Sequence, residues 1–137
     1  MHHGACLCGT IRYEIDGDIG PIVLCHCSDC RKAQGSAFAA TTPVKASELR
    51  VVSGAHALKA FESSPGKQRC FCSECGSPIF SRLVSRPDVV RLRVGTLDSK
   101  VTTTPIAHIY AASKAEWFDI ADHLPRYDGF EPGRTKP

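Results

Sequence analysis

Closely spaced cysteines constrain this 137-residue chain more than any other feature of its sequence. Seven of the eight cysteines fall into three clusters, and the eighth, Cys70, lies just before the third. The clusters are Cys6-x-Cys8, Cys25-x-Cys27-x-x-Cys30 and Cys72-x-x-Cys75. Such short gaps let one tight turn present two thiolates to a zinc ion, which binds sulfur at about 2.3 Å. The spacing therefore favours metal binding over a disulfide framework, and with it a reducing compartment.

Length and hydropathy indicate the class of protein. The chain has an ordinary length for one domain, and its 42% hydrophobic and 23% charged residues are typical of a globular protein. No apolar run approaches the roughly 20 residues that cross a bilayer. The N-terminal residues also contain no basic and apolar leader. We therefore expect a cytoplasmic protein with no membrane partner.

The charge distribution bears on possible partners. Seventeen basic and fourteen acidic side chains give a formal charge of +3, and the basic residues are dispersed along the sequence. A module that binds nucleic acid usually shows a basic stripe with exposed aromatic residues. Only 7% of this chain is aromatic. We therefore expect no nucleic-acid partner.

Short extended segments separated by Pro, Gly and Ser predict a mainly β domain. The first two segments, 10–15 and 21–24, flank turn-forming residues and are predicted to form a hairpin. The later segments are 37–42, 50–52, 57–61, 68–72, 79–84, 89–94 and 108–110.

The sequence also predicts a few helical turns. One short helix is expected over 29–34, with Ser28 as its N-cap and Gly35 at its end. Single helical turns are expected at 45–49 and at 114–118, around the only tryptophan.

The first and last cysteine clusters together supply four thiolates. Gly9 follows the first pair and Gly76 the last, and glycine lets the backbone curl so that its amides point at the sulfur atoms. One zinc held by all four would join distant parts of the chain and contribute folding free energy. Burial as small apolar residues is the alternative, which the two ligand spacings disfavour. The predicted closed, structural site is Cys6, Cys8, Cys72 and Cys75.

The middle cluster can hold one metal ion with three thiolates and leave a fourth position open, as a catalytic zinc requires. Cys27 and Cys30 lie where the predicted helix starts, and the helix dipole there favours thiolate. His26 should face away from the ion, because neighbours in an extended segment point to opposite sides. A fourth ligand, either His26 or Cys70, would close the site, and this structural alternative stays open. Otherwise Cys70 is expected to be an unpaired core thiol, and His108 a hydrogen-bonded histidine in a strand.

Three motifs make the chain similar to the glutathione-dependent formaldehyde-activating enzyme family, which includes centromere protein V. The motifs are G-x-C-x-C-G-x-I-R-Y-E over 4–14, C-H-C-S-D-C-R-K-x-x-G-S-x-F over 25–38 and F-C-S-E-C-G-S-P over 71–78. Their order and spacing are specific, and they extend over most of the chain.

The resemblance implies a zinc-stabilised β-tent fold with short helices and two zinc ions per chain. The structural zinc would lie on Cys6, Cys8, Cys72 and Cys75, and the catalytic zinc on Cys25, Cys27 and Cys30. It further implies a carbon–sulfur lyase that acts as an S-(hydroxymethyl)glutathione synthase and joins glutathione to formaldehyde or a similar small electrophile. The residues after Leu124 are rich in Pro and Gly and predict a tail at 125–137, so the catalytic, zinc-binding domain is expected to be 1–124.

Substrate contacts are less sharply marked in the sequence. Arg31 could neutralise a glutathione carboxylate, and Ser36 and Phe38 could line the mouth of a pocket. A solvated basic pair and a core phenylalanine are the simpler explanations of Arg31 and Phe38. Two other functions also remain open: a related zinc enzyme that acts on another small substrate, and a non-catalytic zinc module for protein or nucleic-acid contact.

Overall fold

The computed structural model describes residues 1–134, and within them the protein is mainly β, as predicted. The strands are β1 (His2–Ala5), β2 (Arg12–Ile15), β3 (Ile22–Cys25), β4 (Ala39–Lys45), β5 (Leu49–Ser53), β6 (Leu58–Ser64), β7 (Lys67–Cys72), β8 (Pro78–Leu83), β9 (Arg86–Arg93) and β10 (Pro105–Ile109). The α-helix, α1, is Ser28–Gln34. No helix in these residues is both long and apolar enough to span a membrane.

The strands form a small and a large sheet. The small sheet has the order β1-β2-β5, and the large one β10-β3-β4-β9-β8-β7-β6. The β10–β3 pair is parallel, and the other pairs are antiparallel. This two-sheet arrangement with short helical segments agrees with the fold class expected from the sequence.

The predicted hairpin of the first two extended segments is wrong. Strand β2 pairs with β1 and β5, whereas β3 lies inside the large sheet between β10 and β4. All four residues of β3 are buried, so this strand needs neighbours and covering side chains that a two-stranded hairpin does not supply. The segment that connects the two sheets is held by backbone hydrogen bonds. The Asp16 amide donates to the Glu48 carbonyl, and the Gly20 amide donates to the Pro43 carbonyl.

The helix α1 is present with one correction. Its N-cap is Cys27 rather than Ser28, and the Cys27 side chain accepts a bond from the Cys30 amide. Gly35 ends the helix in the left-handed conformation, with φ 61°, as predicted.

The two predicted single helical turns have different outcomes. The first is present as the 3-10 segment Ala46–Glu48. The second, at 114–118, is a turn rather than a helix, and the nearby 3-10 segment is Ala111–Ser113. The Lys114 ammonium donates to the Ala115 and Phe118 carbonyl oxygens, so a side chain satisfies these acceptors in place of a helical ladder.

The two faces of the large sheet have different environments. Residues of β7, β8 and β9 on one face pack against the small sheet and form the main core, which includes Cys70, Cys72, Phe80, Val90 and Leu92. Cys70 is thus a core thiol, 2% exposed. The residues that alternate with these point to the opposite face, where they border a large cavity.

Residues 125–129 lie along β10 and the residues that follow it. The His108 amide donates to the Pro125 carbonyl oxygen, and the Tyr127 amide donates back to His108, each at 2.9 Å. The Tyr110 amide also bonds the Gly129 carbonyl. This part of the predicted tail is therefore tied to the sheet, while 135–137 lie outside the described residues.

Candidate metal centres and the adjoining cavity

Four cysteine sulfur atoms from distant parts of the chain meet at one end of the small sheet. The sulfur atoms of Cys6, Cys8, Cys72 and Cys75 all lie within 4.8 Å of one another. Thiolates about 2.3 Å from a tetrahedral zinc would be separated from each other by about 3.8 Å. The Cys6–Cys8 and Cys8–Cys72 sulfur distances are 3.6 and 3.9 Å. The donor set and its spacing therefore fit a zinc ion.

Two glycine turns shape this four-cysteine centre. Gly9 and Gly76 have φ values of 79° and 81°, which side-chain-bearing residues rarely adopt. The Gly9 amide donates to the Cys6 carbonyl at 3.1 Å, and the Gly76 amide to the Cys72 carbonyl at 2.7 Å. Bonds from the Ser77 side chain and backbone lower the pKa of Cys75 to about 5. A thiolate is thus favoured at one of the four positions.

The middle cluster lies where β3 ends and α1 begins. The sulfur atoms of Cys25, Cys27 and Cys30 also lie within 4.8 Å of one another. Cys25 and Cys30 are buried, and Cys27 is half-buried. All eight cysteines of the chain carry free thiols, so neither cluster is a disulfide. Both clusters could hold a metal ion, and their donor chemistry is that of zinc sites.

An arginine approaches the middle cluster from the large sheet. Arg69 on β7 is 9% exposed, and its two terminal nitrogens lie 3.8 and 3.9 Å from the Cys30 sulfur. The pKa of the Cys30 thiol is lowered, first by hydrogen bonds from Cys25 and Cys27 and then by the positive charge of Arg69. The pKa of Cys25 is raised by hydrogen bonds with Cys27 and Cys30 and by burial. The position of Arg69 therefore favours the thiolate form of Cys30.

His26 lies between two cysteines of the cluster but its ring turns into the protein. The ring is fully buried against His108, Phe38 and Phe118. Burial, and then the proximity of His108 and Lys114, lower the pKa of His26. His26 is absent from both groups of candidate ligands in the described residues, as is Cys70. His108 is a hydrogen-bonded strand histidine, as its position in β10 predicts.

A cavity of about 800 Å³ borders the three-cysteine cluster. Its lining includes all three sulfur-bearing residues, the cavity face of the large sheet and residues 130–134. Two of its lining residues are acidic, Asp29 and Glu131. Seven are basic: Lys67, Arg69, Arg82, Arg86, Arg91, Arg93 and Arg134. The cavity is therefore strongly cationic beside the cluster.

The residues predicted from the sequence to contact substrate lie elsewhere. Among the described residues, the lining of this cavity does not include Arg31, Ser36 or Phe38. The Arg31 Nε donates to the His26 carbonyl at 3.3 Å. Ser36 and Phe38 line a second, smaller pocket of about 280 Å³.

The cationic wall was not anticipated from the sequence, in which the basic residues look dispersed. Their signal is an alternation: Lys67 and Arg69 on β7, and Arg91 and Arg93 on β9, occupy every second position. Residues two apart in a strand share a face. Basic residues on one face and apolar residues on the other would have marked a charged, half-buried surface.

The family pattern of the glutathione-dependent formaldehyde-activating enzyme matches residues 1–113. The chain belongs to this family. The match contains both cysteine clusters and the basic strands β7 and β9, and it ends before residues 130–134, which complete the cavity wall. That part of the wall is therefore a feature of this chain outside the family match.

Relatives with the same provisional name, glutathione-dependent formaldehyde-activating enzyme, are similar to the chain. One from Halomonas elongata is 29% identical over 125 residues, which cover 85% of this chain and 79% of the relative. One from Aspergillus flavus is 31% identical over 80 residues, or 57% of this chain and 42% of the relative. The chain thus spans less than half of that fungal protein.

A solved structure shows the same fold. A crystal structure of a Rhodobacter sphaeroides protein superposes with a TM-score of 0.61 and 26% sequence identity. The superposition covers 73% of this chain and 91% of that protein.

Proposed function

We propose that this protein is a cytoplasmic, zinc-dependent carbon–sulfur lyase that condenses glutathione with formaldehyde or a similar small electrophile, as an S-(hydroxymethyl)glutathione synthase does. The observation that carries the proposal is the cluster of Cys25, Cys27 and Cys30 in the wall of a large cationic cavity. The family and the names of the relatives support the choice of substrates. Cys25, Cys27 and Cys30 would hold the catalytic zinc.

The four-cysteine cluster would hold the second, structural zinc. Its ligands come from the start of the chain and from the turn after β7, so a bound ion cross-links segments more than 60 residues apart, as the Cys8–Cys72 contact shows. Such a cross-link stabilises the folded chain, because the unfolded chain has no preformed site.

The proposed reaction needs an activated thiol and no oxidant. The thiol sulfur bonds to the carbonyl carbon, the carbonyl π electrons move to oxygen, and the oxygen takes up the proton that the thiol lost. A zinc ion bound to three thiolates supplies a Lewis acid that lowers the pKa of an incoming thiol. An unperturbed thiol has a pKa of about 8.5 and is mostly protonated at neutral pH.

The residues of this chain would contribute charge and position. Arg69 and Arg93 are buried beside the cluster, and Arg69 contacts the Cys30 sulfur. Their positive charge favours the thiolate form of the cluster and of a bound thiol. A cavity of this size is also large enough to hold a tripeptide thiol and orient its sulfur.

A related reaction with another anionic thiol is the second candidate function. The cationic cavity selects for negative charge without specifying a tripeptide, so a different carboxylated thiol would fit the same chemistry. A comparison of condensation rates with glutathione and with other carboxylated thiols separates the two candidates. A faster reaction with another thiol would favour the second.

The test combines zinc content with catalysis. Zinc per chain and the rate of glutathione and formaldehyde condensation above the spontaneous background are measured for wild-type protein and for Cys27→Ser. We expect Cys27→Ser to lose one of two zinc ions and the rate enhancement while it retains its circular dichroism spectrum. Cys70→Ala is the matched control, because Cys70 lies in the core outside both clusters, and it should keep both ions.

Two results would contradict the proposal. Unchanged zinc content in Cys27→Ser would show that the three-cysteine cluster does not hold the second ion. A wild-type rate equal to the background would reject glutathione and formaldehyde as the reactants.

A further inference from the structure

Four basic residues form two rows on the cavity face of the large sheet. Lys67 and Arg69 lie on β7, and Arg91 and Arg93 lie on β9. Ser81 on β8 is the register partner of both Arg69 and Arg91. Two strand spacings separate the rows, which is roughly 10 Å between backbones. A small anion could therefore contact side chains from both rows.

Arg69 and Arg93, here called the inner pair, already form hydrogen bonds within the protein. Arg69 donates to the Cys30 sulfur and to the Ser63 hydroxyl oxygen. Arg93 donates to the Gln34 amide oxygen, the Ser81 hydroxyl and the Arg91 carbonyl. Both guanidinium groups are thus committed to partners beside the cluster.

Lys67 and Arg91, here called the outer pair, lack such partners. In residues 1–134 neither the Lys67 ammonium nor the Arg91 guanidinium forms a hydrogen bond or ion pair with a protein acceptor. Both side chains are half-buried in the cavity wall. Burial, with a smaller contribution from Arg69, lowers the pKa of Lys67. Burial and then Arg134 lower the pKa of Arg91 to about 10. The cysteines of the cluster, and Glu131 beside Arg91, offset only part of the cost of burying these two cations, and a bound anion would offset more of it.

The acidic residues of the cavity do not fill this role. Glu131 pairs with Arg134 at 2.8 Å and its charge acts favourably on Arg91, but it forms no ion pair with Arg91 or Lys67, and Asp29 lies in the first turn of α1. The charge of the outer pair therefore remains available to a ligand.

We propose that Lys67 and Arg91 form an anion subsite that binds a carboxylate of the thiol substrate while its sulfur lies at the three-cysteine cluster. This inference rests on the proposed function, because it places the substrate in the same cavity. Arg91 presents the planar fork that matches a carboxylate, and Lys67 adds a point charge. The substrate class is thus a thiol with a carboxylate distant from its sulfur.

Steady-state kinetics with two thiols tests the subsite. Arg91→Gln and Lys67→Gln are each expected to raise the KM for glutathione by about 10- to 100-fold, the effect of losing a charged hydrogen bond. The value of kcat should change much less, since the carboxylate is bound equally before and during the reaction. For 2-mercaptoethanol, which has no carboxylate, kcat/KM should fall far less than for glutathione. Arg91→Lys should recover part of the loss.

Two variants with the same change in net charge serve as controls. Arg126→Gln and Lys59→Gln remove cations that lie outside the cavity lining, so both should retain the wild-type KM for glutathione. A similar rise in KM in these controls, or an equal loss with both thiols in the subsite variants, would overturn the subsite. Circular dichroism verifies that each variant is folded, and Lys67→Gln provides an independent test should Arg91→Gln unfold.

A binding measurement separates failure of the subsite from failure of the proposed reaction. S-methylglutathione keeps both carboxylates but has no free thiol, and its affinity is measured by calorimetry without formaldehyde. Loss of binding in Arg91→Gln, together with no condensation by wild-type protein, supports the subsite and rejects the reaction. Wild-type affinity and KM in both variants, with condensation intact, reject the subsite alone. If wild-type protein neither binds S-methylglutathione nor accelerates condensation, both proposals are rejected.

Discussion

The rings of His26 and His108 are joined directly, with 2.8 Å between His26 Nε2 and His108 Nδ1. On its other side, His108 Nε2 lies 2.9 Å from a carboxylate oxygen of Asp122. A neutral His108 that donates to Asp122 through Nε2 must accept at Nδ1, so His26 donates through its Nε2. The chain of bonds connects the cysteine loop to β10 and explains why the His26 ring faces away from the cluster.

Loss of His108 should destabilise the protein. His108→Ala leaves the buried His26 Nε2 without its partner, and we expect the free energy of unfolding to fall by about 1–3 kcal/mol. Urea denaturation of the zinc-loaded protein measures the effect. His123→Ala is the matched control, because His123 is exposed, and it should change stability little. Equal stability of the two variants would show that the His26–His108 bond contributes nothing.

Gly4 should not tolerate a side chain. A Cβ at Gly4 would overlap the Tyr13 hydroxyl and the Thr96 carbonyl oxygen, whereas a Cβ at Gly95 would meet nothing within 4 Å. Gly4→Ala should therefore lower the free energy of unfolding by about 1–3 kcal/mol, the usual cost of overpacking. Gly95→Ala, measured in the same denaturation experiment, should be close to wild type. A Gly4→Ala protein as stable as the control would contradict this packing.

Tyr13 should make stability depend on pH in the alkaline range. Burial raises the pKa of Tyr13 to about 12, against the effect of its hydrogen bond with Thr96. A tyrosine in the unfolded chain titrates at about pH 10. The buried neutral phenol therefore contributes fully below about pH 10, and its contribution is lost as the pH rises towards 12. Tyr13→Phe has no such proton, so its stability relative to wild type should increase over this interval. The free energy of unfolding of both proteins is measured by denaturation at several pH values. A difference between wild type and Tyr13→Phe that stays constant from about pH 10 to about pH 12 would contradict this prediction.

Arg69 should support metal binding at the three-cysteine cluster. Its terminal nitrogens approach the Cys30 sulfur, and partners of this kind typically contribute 10- to 100-fold to metal affinity. Arg69→Gln should weaken the affinity for one zinc ion by about that factor in chelator competition. The affinity for the other ion should be unchanged, because the four-cysteine cluster lies apart. Arg126→Gln is the charge-matched control, and an equal loss there would contradict a specific role.

Local sequence signals predicted the positions of helices and strands better than they predicted which strands pair. The helix α1 was foreseen because the residues that begin it and Gly35, which ends it, act within a few positions. The hairpin prediction failed because the burial of β3 depends on β10 and β4, which follow it in the chain. The sequence does not predict strand β1, because His2–Ala5 contains no Val, Ile, Thr, Phe, Tyr or Trp, and its pairing with β2 makes it a strand.

The sequence by itself indicated which cysteines gather locally, because cysteines separated by one or two residues can present their sulfur atoms within a single turn. It also determined the mainly β character of the chain, through the spacing of short extended segments. Only the tertiary structure decided that dispersed basic residues line one cavity beside Cys25, Cys27 and Cys30. That outcome depends on which strands pair and in which register, and these contacts join residues too far apart for any local pattern to encode.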